Sequence, residues 1–214
     1  MMKKFKPISS LIIVSSFLIG AWAYSKMPAE VASHWGMSGD TNGSMGRFWG
    51  TFFVPVFMTI VYIILYFAPK IDPRNQNVEK FRASYDKFLN VFLIFFLAIY
   101  LYMISWNLGH HLNISIIMSL GLAGLFYAVG NLIKNAEPNW FVGIRNPWTL
   151  SSDNVWKKTH ELGSKLFKIA ALICLLGLVL PKFAFVFIIV PVIVFSFYLM
   201  IFSYFEFAKE TKSK

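Results

Sequence analysis

The sequence predicts an all-α, polytopic membrane protein with six transmembrane helices and both termini cytoplasmic. Three observations lead there. The 214-residue chain is 57% apolar, 18% aromatic and only 14% charged, with a mean hydropathy of +0.60. A soluble domain carries roughly 25% charged residues. The apolar residues form six continuous runs of about membrane-spanning length, whereas barrel strands would alternate over short segments. Lysine and arginine are distributed very unequally between the connections, as positive-inside topology requires. This composition argues against a disordered tail, a coiled coil or a disulfide framework. A water-soluble enzyme is disfavoured because 23 Phe, 7 Trp and 9 Tyr could not all hide inside so small a globule.

The first run, Ile8–Tyr24, follows Lys3, Lys4 and Lys6. Ala21-Trp22-Ala23 resembles a signal-peptide cleavage site. The run is close to spanning length, so a retained helix is expected. The second and third runs are Phe48–Ala68 and Phe88–Asn107, and the fourth is Ile114–Ile133, with Gly121, Gly124 and Ala128 as a small face for close packing. Leu166–Leu180 and Phe183–Phe205 are parted by Pro181-Lys182, which reads as a tight helical hairpin. Pro55 and Pro191 lie inside spans, where a kink is tolerated. The lone cysteine, Cys174, sits in an apolar run and reads as a small buried hydrophobe. These runs divide the chain into an N-terminal helix pair with an external loop (1–68), a central helix pair (69–133) and a C-terminal region with a loop motif and a helical hairpin (134–214).

With a cytoplasmic N-terminus, 16 of the 20 Lys and Arg residues fall inside and three, Lys26, Arg47 and Lys182, fall outside; Lys168 opens the fifth span. The net charge of +10 is therefore a topology signal, and direct nucleic-acid binding loses its main support. Apart from Lys168 the spans hold no ionisable Asp, Glu, Lys, Arg or His, which weighs against a proton-driven pump. No catalytic motif is present, so no enzyme, cofactor or metal is expected. His34, Glu30 and Asp40 with His110-His111 could form a metal site only if two external connections converge. Ser16, Asn107 and Ser119 read as helix–helix hydrogen bonds.

Two connections carry more residues than a link requires. In the external one, Pro28 can open a helical turn, and Gly36, Gly39, Gly43 and Gly46 allow turns with positive φ. His34 and Trp35 lie between them. The other, Lys134 to Lys165, contains Asn146-Pro147, which is biased away from helix. Ser151 or Ser152 then caps a helix with Asp153 in its first turn. That helix repeats Val155, Trp156, Thr159, Leu162, Gly163 and Leu166 at steps of three and four and is expected to run into the fifth span. Trp140, Trp148 and Trp156 suit an interfacial belt. Arg145 could pair with Glu137, cap carbonyls or bind lipid phosphate.

The pattern Asn139-x-Phe141-x-Gly143-Ile144-Arg145-Asn146-Pro147-Trp148-Thr149-Leu150-Ser151, followed by Trp156 and Lys158-Thr159-His160-x-x-Gly163, resembles the signature of the SdpI family of bacterial membrane proteins. Pro28-x-x-Val31-x-x-His34-Trp35-x-x-x-Gly39 is similar to the small domain of unknown function that commonly precedes it. Asn146 stands where members usually have Thr. The resemblance implies a multi-pass plasma-membrane protein that gives immunity to a secreted toxic peptide. It also implies a receptor role, holding a cytoplasmic repressor at the membrane. The ligand- and partner-binding candidates it implies are Asn139, Gly143, Arg145, Pro147, Trp148, Thr149, Trp156, His160 and Gly163 inside, and Pro28, His34, Trp35 and Gly39 outside. The alternative is an exporter of a neutral or lipid-like substrate.

Overall fold

The computed structural model describes residues 7–36 and 39–212. Lys3, Lys4, Lys6 and Lys214 of the charge count lie outside them. The spans appear as α1 (Pro7–Tyr24), α2 (Arg47–Ile71), α4 (Arg82–Asn107), α5 (Ile114–Asn135), α7 (Asp153–Val179) and α8 (Ala184–Lys212). Two short helices, α3 (Asn75–Lys80) and α6 (Pro147–Ser151), lie in connections. A 3₁₀ turn, Pro181–Phe183, makes the tight link between α7 and α8. Pro55 and Pro191 sit inside unbroken helices.

The helices form two groups. α1, α2 and α4 pack on one another, α5, α7 and α8 do likewise, and α4 against α5 joins the groups. The first group is sealed by Met58, Tyr62, Tyr66, Tyr85 and Leu93, all buried. The second is centred on Ala123, Cys174 and Ile188, so Cys174 is the buried hydrophobe its neighbours implied. Gly121 accepts the Phe95 ring, which would lie 2.5 Å from an added Cβ; Gly124 faces open space. The outward faces are apolar, as Leu172, Ile193 and Phe197 illustrate. Lipid is the solvent that makes such a surface stable.

The connection between the first two spans departs from expectation. Pro28 opens no helical turn. The segment forms an antiparallel hairpin, β1 (Glu30–Trp35) and β2 (Thr41–Gly46), with bulges on either side of His34. Of its four glycines, Gly39 has a positive φ, +89°. The polar residues expected between helices also act differently. Ser16 bonds the Ile13 carbonyl of its own helix, and Asn107 bonds the hairpin. No metal-competent cluster of His, Cys, Asp and Glu occurs among the described residues. His34 faces Asn42, Glu30 accepts from Ser44 Oγ, and the His111 ring packs on Trp106.

Candidate functional site

At the end of the bundle where α8 finishes, residues 136–146 fold into a loop tied to three sides. Asn139 is its internal brace and is fully buried. Its Oδ1 accepts from the backbone N–H groups of Phe141 (2.9 Å) and Val142 (2.7 Å). Its Nδ2 donates to the carbonyls of Glu137 (2.8 Å) and Val142 (2.9 Å). All four bonds use both ends of the carboxamide, which neither Asp nor Leu could reproduce.

The loop's first anchor is the end of α2. Asp72, buried, accepts from Trp140 N at 2.9 Å and from Arg74 N at 2.7 Å. Asn77 Nδ2 donates to the Pro138 carbonyl at 2.8 Å. The second anchor is the first two turns of α7. Trp156 Nε1 donates to the Ala136 carbonyl at 2.7 Å. The His160 ring stacks on Trp156, centroids 4.0 Å apart and planes within 18°. Ile144 N–H donates to His160 Nε2 at 2.9 Å, and His160 Nδ1 lies 2.8 Å from the Trp156 carbonyl. An accepting Nε2 carries no proton, so the imidazole is neutral with its hydrogen on Nδ1.

Gly143 makes this approach possible. Its φ is +121°, and a Cβ there would lie 2.3 Å from His160 Nε2 and 3.2 Å from the Trp156 ring. Gly163 does the same one turn on, where a Cβ would lie 2.5 Å from Ile144 Cδ1.

The third anchor is α8. Pro147 occupies the first turn of α6, and Asn146 and Thr149 form a reciprocal capping box around it. Asn146 Nδ2 reaches Ser203 Oγ at 2.8 Å, and Trp148 meets Tyr204 edge-on at 5.3 Å. Ser152 caps α7, and its hydroxyl donates to Glu210 at 2.7 Å. Lys158 pairs with Glu206 at 2.8 Å.

The motif therefore separates into two sets. Asn139, Thr149, Trp156, His160 and Gly163 are buried and hold the loop's shape; Arg145 and Pro147 are exposed and Trp148 half-buried. Trp156 accordingly belongs to no interfacial belt: its register with His160 and Gly163 turns it into the core. Trp140 remains half-exposed beside Phe141. Arg145 donates to the Trp140 carbonyl rather than pairing with Glu137. Asp72 and Asn77, which sequence reasoning missed, contact the loop across more than sixty positions and leave no local signal.

The hairpin occupies the opposite end. Asn107, near the end of α4, brackets Ala32: its Oδ1 accepts from Ala32 N at 2.8 Å and its Nδ2 donates to Ala32 O at 2.9 Å. Trp35 packs edge-on against Tyr102 and Trp106 at 5.0 and 5.7 Å. Val31 is buried over Gly50, where an added Cβ would lie 2.4 Å from Val31 Cβ. The Pro28 carbonyl accepts from Arg47 Nε at 3.3 Å, His34 is exposed, and Gly39 shapes the turn.

Residues 135–203 match the SdpI/YfhL protein family, and residues 11–59 match a domain of unknown function, DUF1648. The first stretch holds the whole of the loop, latched as it is on three sides, and the second holds the hairpin. The chain is similar to the immunity protein SdpI of Bacillus subtilis (strain 168), 31% identical over 168 residues, or 78% of this chain and 77% of that protein. No solved structure is significantly similar to it.

Proposed function

The chain belongs to the SdpI/YfhL family and is a multi-pass bacterial membrane protein, and on that premise we propose that it confers immunity to a secreted toxic peptide. The observation that carries this reading is its likeness, over most of its length, to the Bacillus immunity protein. Both termini and the latched loop face the cytoplasm, following the lysine and arginine asymmetry. The hairpin then faces the medium, where a secreted peptide arrives. Nothing in the reading calls for a catalytic step.

The same protein acts as a receptor that holds a cytoplasmic repressor at the membrane. The docking surface consists of the exposed motif residues Arg145 and Pro147 and the half-buried Trp148, together with Arg74 and Lys80. Arg74 and Lys80 line a cleft of about 470 Å³ beside the loop. Asn139, Trp156 and His160 serve this surface by fixing the loop's shape.

The test has two parts. Cells lacking the gene become sensitive to one secreted peptide, and restoring the gene restores survival. Unchanged sensitivity to every peptide made by the producer and its neighbours removes the immunity reading. Arg145→Ala leaves the protein in the membrane and abolishes repressor recruitment; recruitment that survives this change removes the docking surface.

A further inference from the structure

The two edges of the external hairpin are treated differently. In an antiparallel pair, residues alternate between those whose N–H and C=O face the partner strand and those whose groups face away. Arg47 N donates to Ala29 O at 2.9 Å, which sets the phase. With the register Glu30↔Gly46, Val31↔Met45 and Ala32↔Ser44, Val31 and Met45 face each other's strand. Ala32, Ser44 and Gly46 turn their main-chain groups outward.

On the β1 side that outward pair is filled, because the Asn107 carboxamide binds both Ala32 N and Ala32 O. A carboxamide presents the same donor and acceptor as a peptide bond, so Asn107 stands in for a third strand. On the β2 side Ser44 N–H, Ser44 C=O and Gly46 N–H have no such cover among the described residues, and both residues are exposed. Exposed edges are usually blunted by Lys, Pro or a bulge. β2 reads Thr-Asn-Gly-Ser-Met-Gly, with neither Lys nor Pro, and the bulges lie nearer the turn than Ser44. Immediately beyond it, Phe48 and Trp49 form an edge-on aromatic pair, each more than half exposed.

We infer that the open edge of β2 at Ser44 and Gly46 receives an extended segment of the secreted peptide as an added strand, with an apolar side chain of that segment resting on Phe48 and Trp49. Main-chain bonds supply the hold and the aromatic pair selects for apolar side chains. This rests on the immunity reading above and names the surface through which that reading operates.

Gly46 permits a clean test. Its φ of −55° and ψ of 150° already suit proline, and a Cβ there meets nothing within 4 Å. Met45, which would precede the proline, is already extended in β2, as that position requires. Gly46→Pro therefore deletes the outward N–H and obstructs the edge while leaving the hairpin intact. Gly46→Ala adds the same Cβ and keeps the N–H.

The probe is the secreted peptide purified by its killing of cells lacking this gene, added to the full-length protein in nanodiscs. Wild type is expected to bind and protect, and Gly46→Ala, which keeps the N–H, is expected to retain more of both than Gly46→Pro. Gly46→Pro, present in the membrane at the same level, is expected to lose roughly tenfold or more in affinity and protection, the worth of one or two lost main-chain bonds. In the wild type, peptide binding is expected to slow amide exchange at Ser44 and Gly46, a readout independent of any variant.

Wild type that gives no protection overturns the immunity reading and this inference together. Protection by wild type and Gly46→Pro alike, with exchange at Ser44 and Gly46 unchanged, overturns the edge alone. So does a Ser44→Cys variant that cross-links to a second copy and loses the cross-link in Gly46→Pro, since the edge would then pair with itself.

Discussion

Replacing Gly143 by alanine should open the latched loop. Two costs add. The backbone sits at φ +121°, a conformation that costs a residue with a Cβ about 1–3 kcal/mol. The new Cβ would lie 2.3 Å from His160 Nε2, so the imidazole must move. That movement breaks the Ile144 N–H bond and leaves buried polar groups unpaired, at about 1–3 kcal/mol. Together they amount to about 2–6 kcal/mol, a rise of roughly one and a half to four orders of magnitude in the open population at roughly 1.4 kcal/mol per decade. Amide exchange at Ile144 and Val142 in nanodiscs reads that population, and limited proteolysis across residues 136–146 reads it again. Gly124→Ala is the control, because nothing lies within 4 Å of its Cβ position. It should leave exchange unchanged and stabilise α5 by about 0.5–1 kcal/mol. Combining Gly143→Ala with His160→Ala removes the clash but not the strained φ, so the pair should be clearly less than additive. If Gly143→Ala exchanges within about twofold of wild type, or if the double variant is simply additive, the steric account of this glycine is wrong.

Further predictions concern the two ends of the bundle. Asn139→Ala removes four hydrogen bonds, two of them fully buried, and should raise proteolysis of the loop at a cost of about 3 kcal/mol; Asn139→Asp, which lacks the donors, should not rescue it. Asn107→Leu unclamps Ala32 and should free the hairpin for protease attack while the spans keep their helicity by circular dichroism. Gly50→Ala forces Val31 away from α2 and should lower the melting temperature in detergent, with a cost of about 1–3 kcal/mol for overpacking. In a Cys174→Ser background, a membrane-impermeant maleimide should label Thr41→Cys in intact cells and label Lys212→Cys only after lysis; the reverse pattern would invert the topology.

The spans were legible because continuous hydrophobicity encodes them locally. The cap at Ser152 and the turn at Pro181 were legible for the same reason. The hairpin was not. Thr41–Gly46 offers a single β-branched residue, so little in its own composition favours a strand. Its pairing depends instead on Asn107, seventy-five positions away from Ala32, and on Val31 fitting over Gly50. The motif's positions were visible, but not which of them face inward. Trp156 shares a helical face with His160 and Gly163, a spacing present in the sequence. Its burial also required the Ala136 carbonyl as a partner for the indole. Asn146 at a cap, Pro147 next and Thr149 in the first turn spell a short helix start that passed unread because α6 has only five residues.

The ties of residues 136–148 to Asp72 and Asn77 on one side, and to Ser203 and Tyr204 through Asn146 and Trp148 on the other, stitch the two groups of three helices together at that end. The hairpin rests on α2 and α4 of one group. At the loop's end the link between the groups therefore runs through hydrogen bonds and one aromatic pair, whereas along the spans it runs through α4 packed against α5.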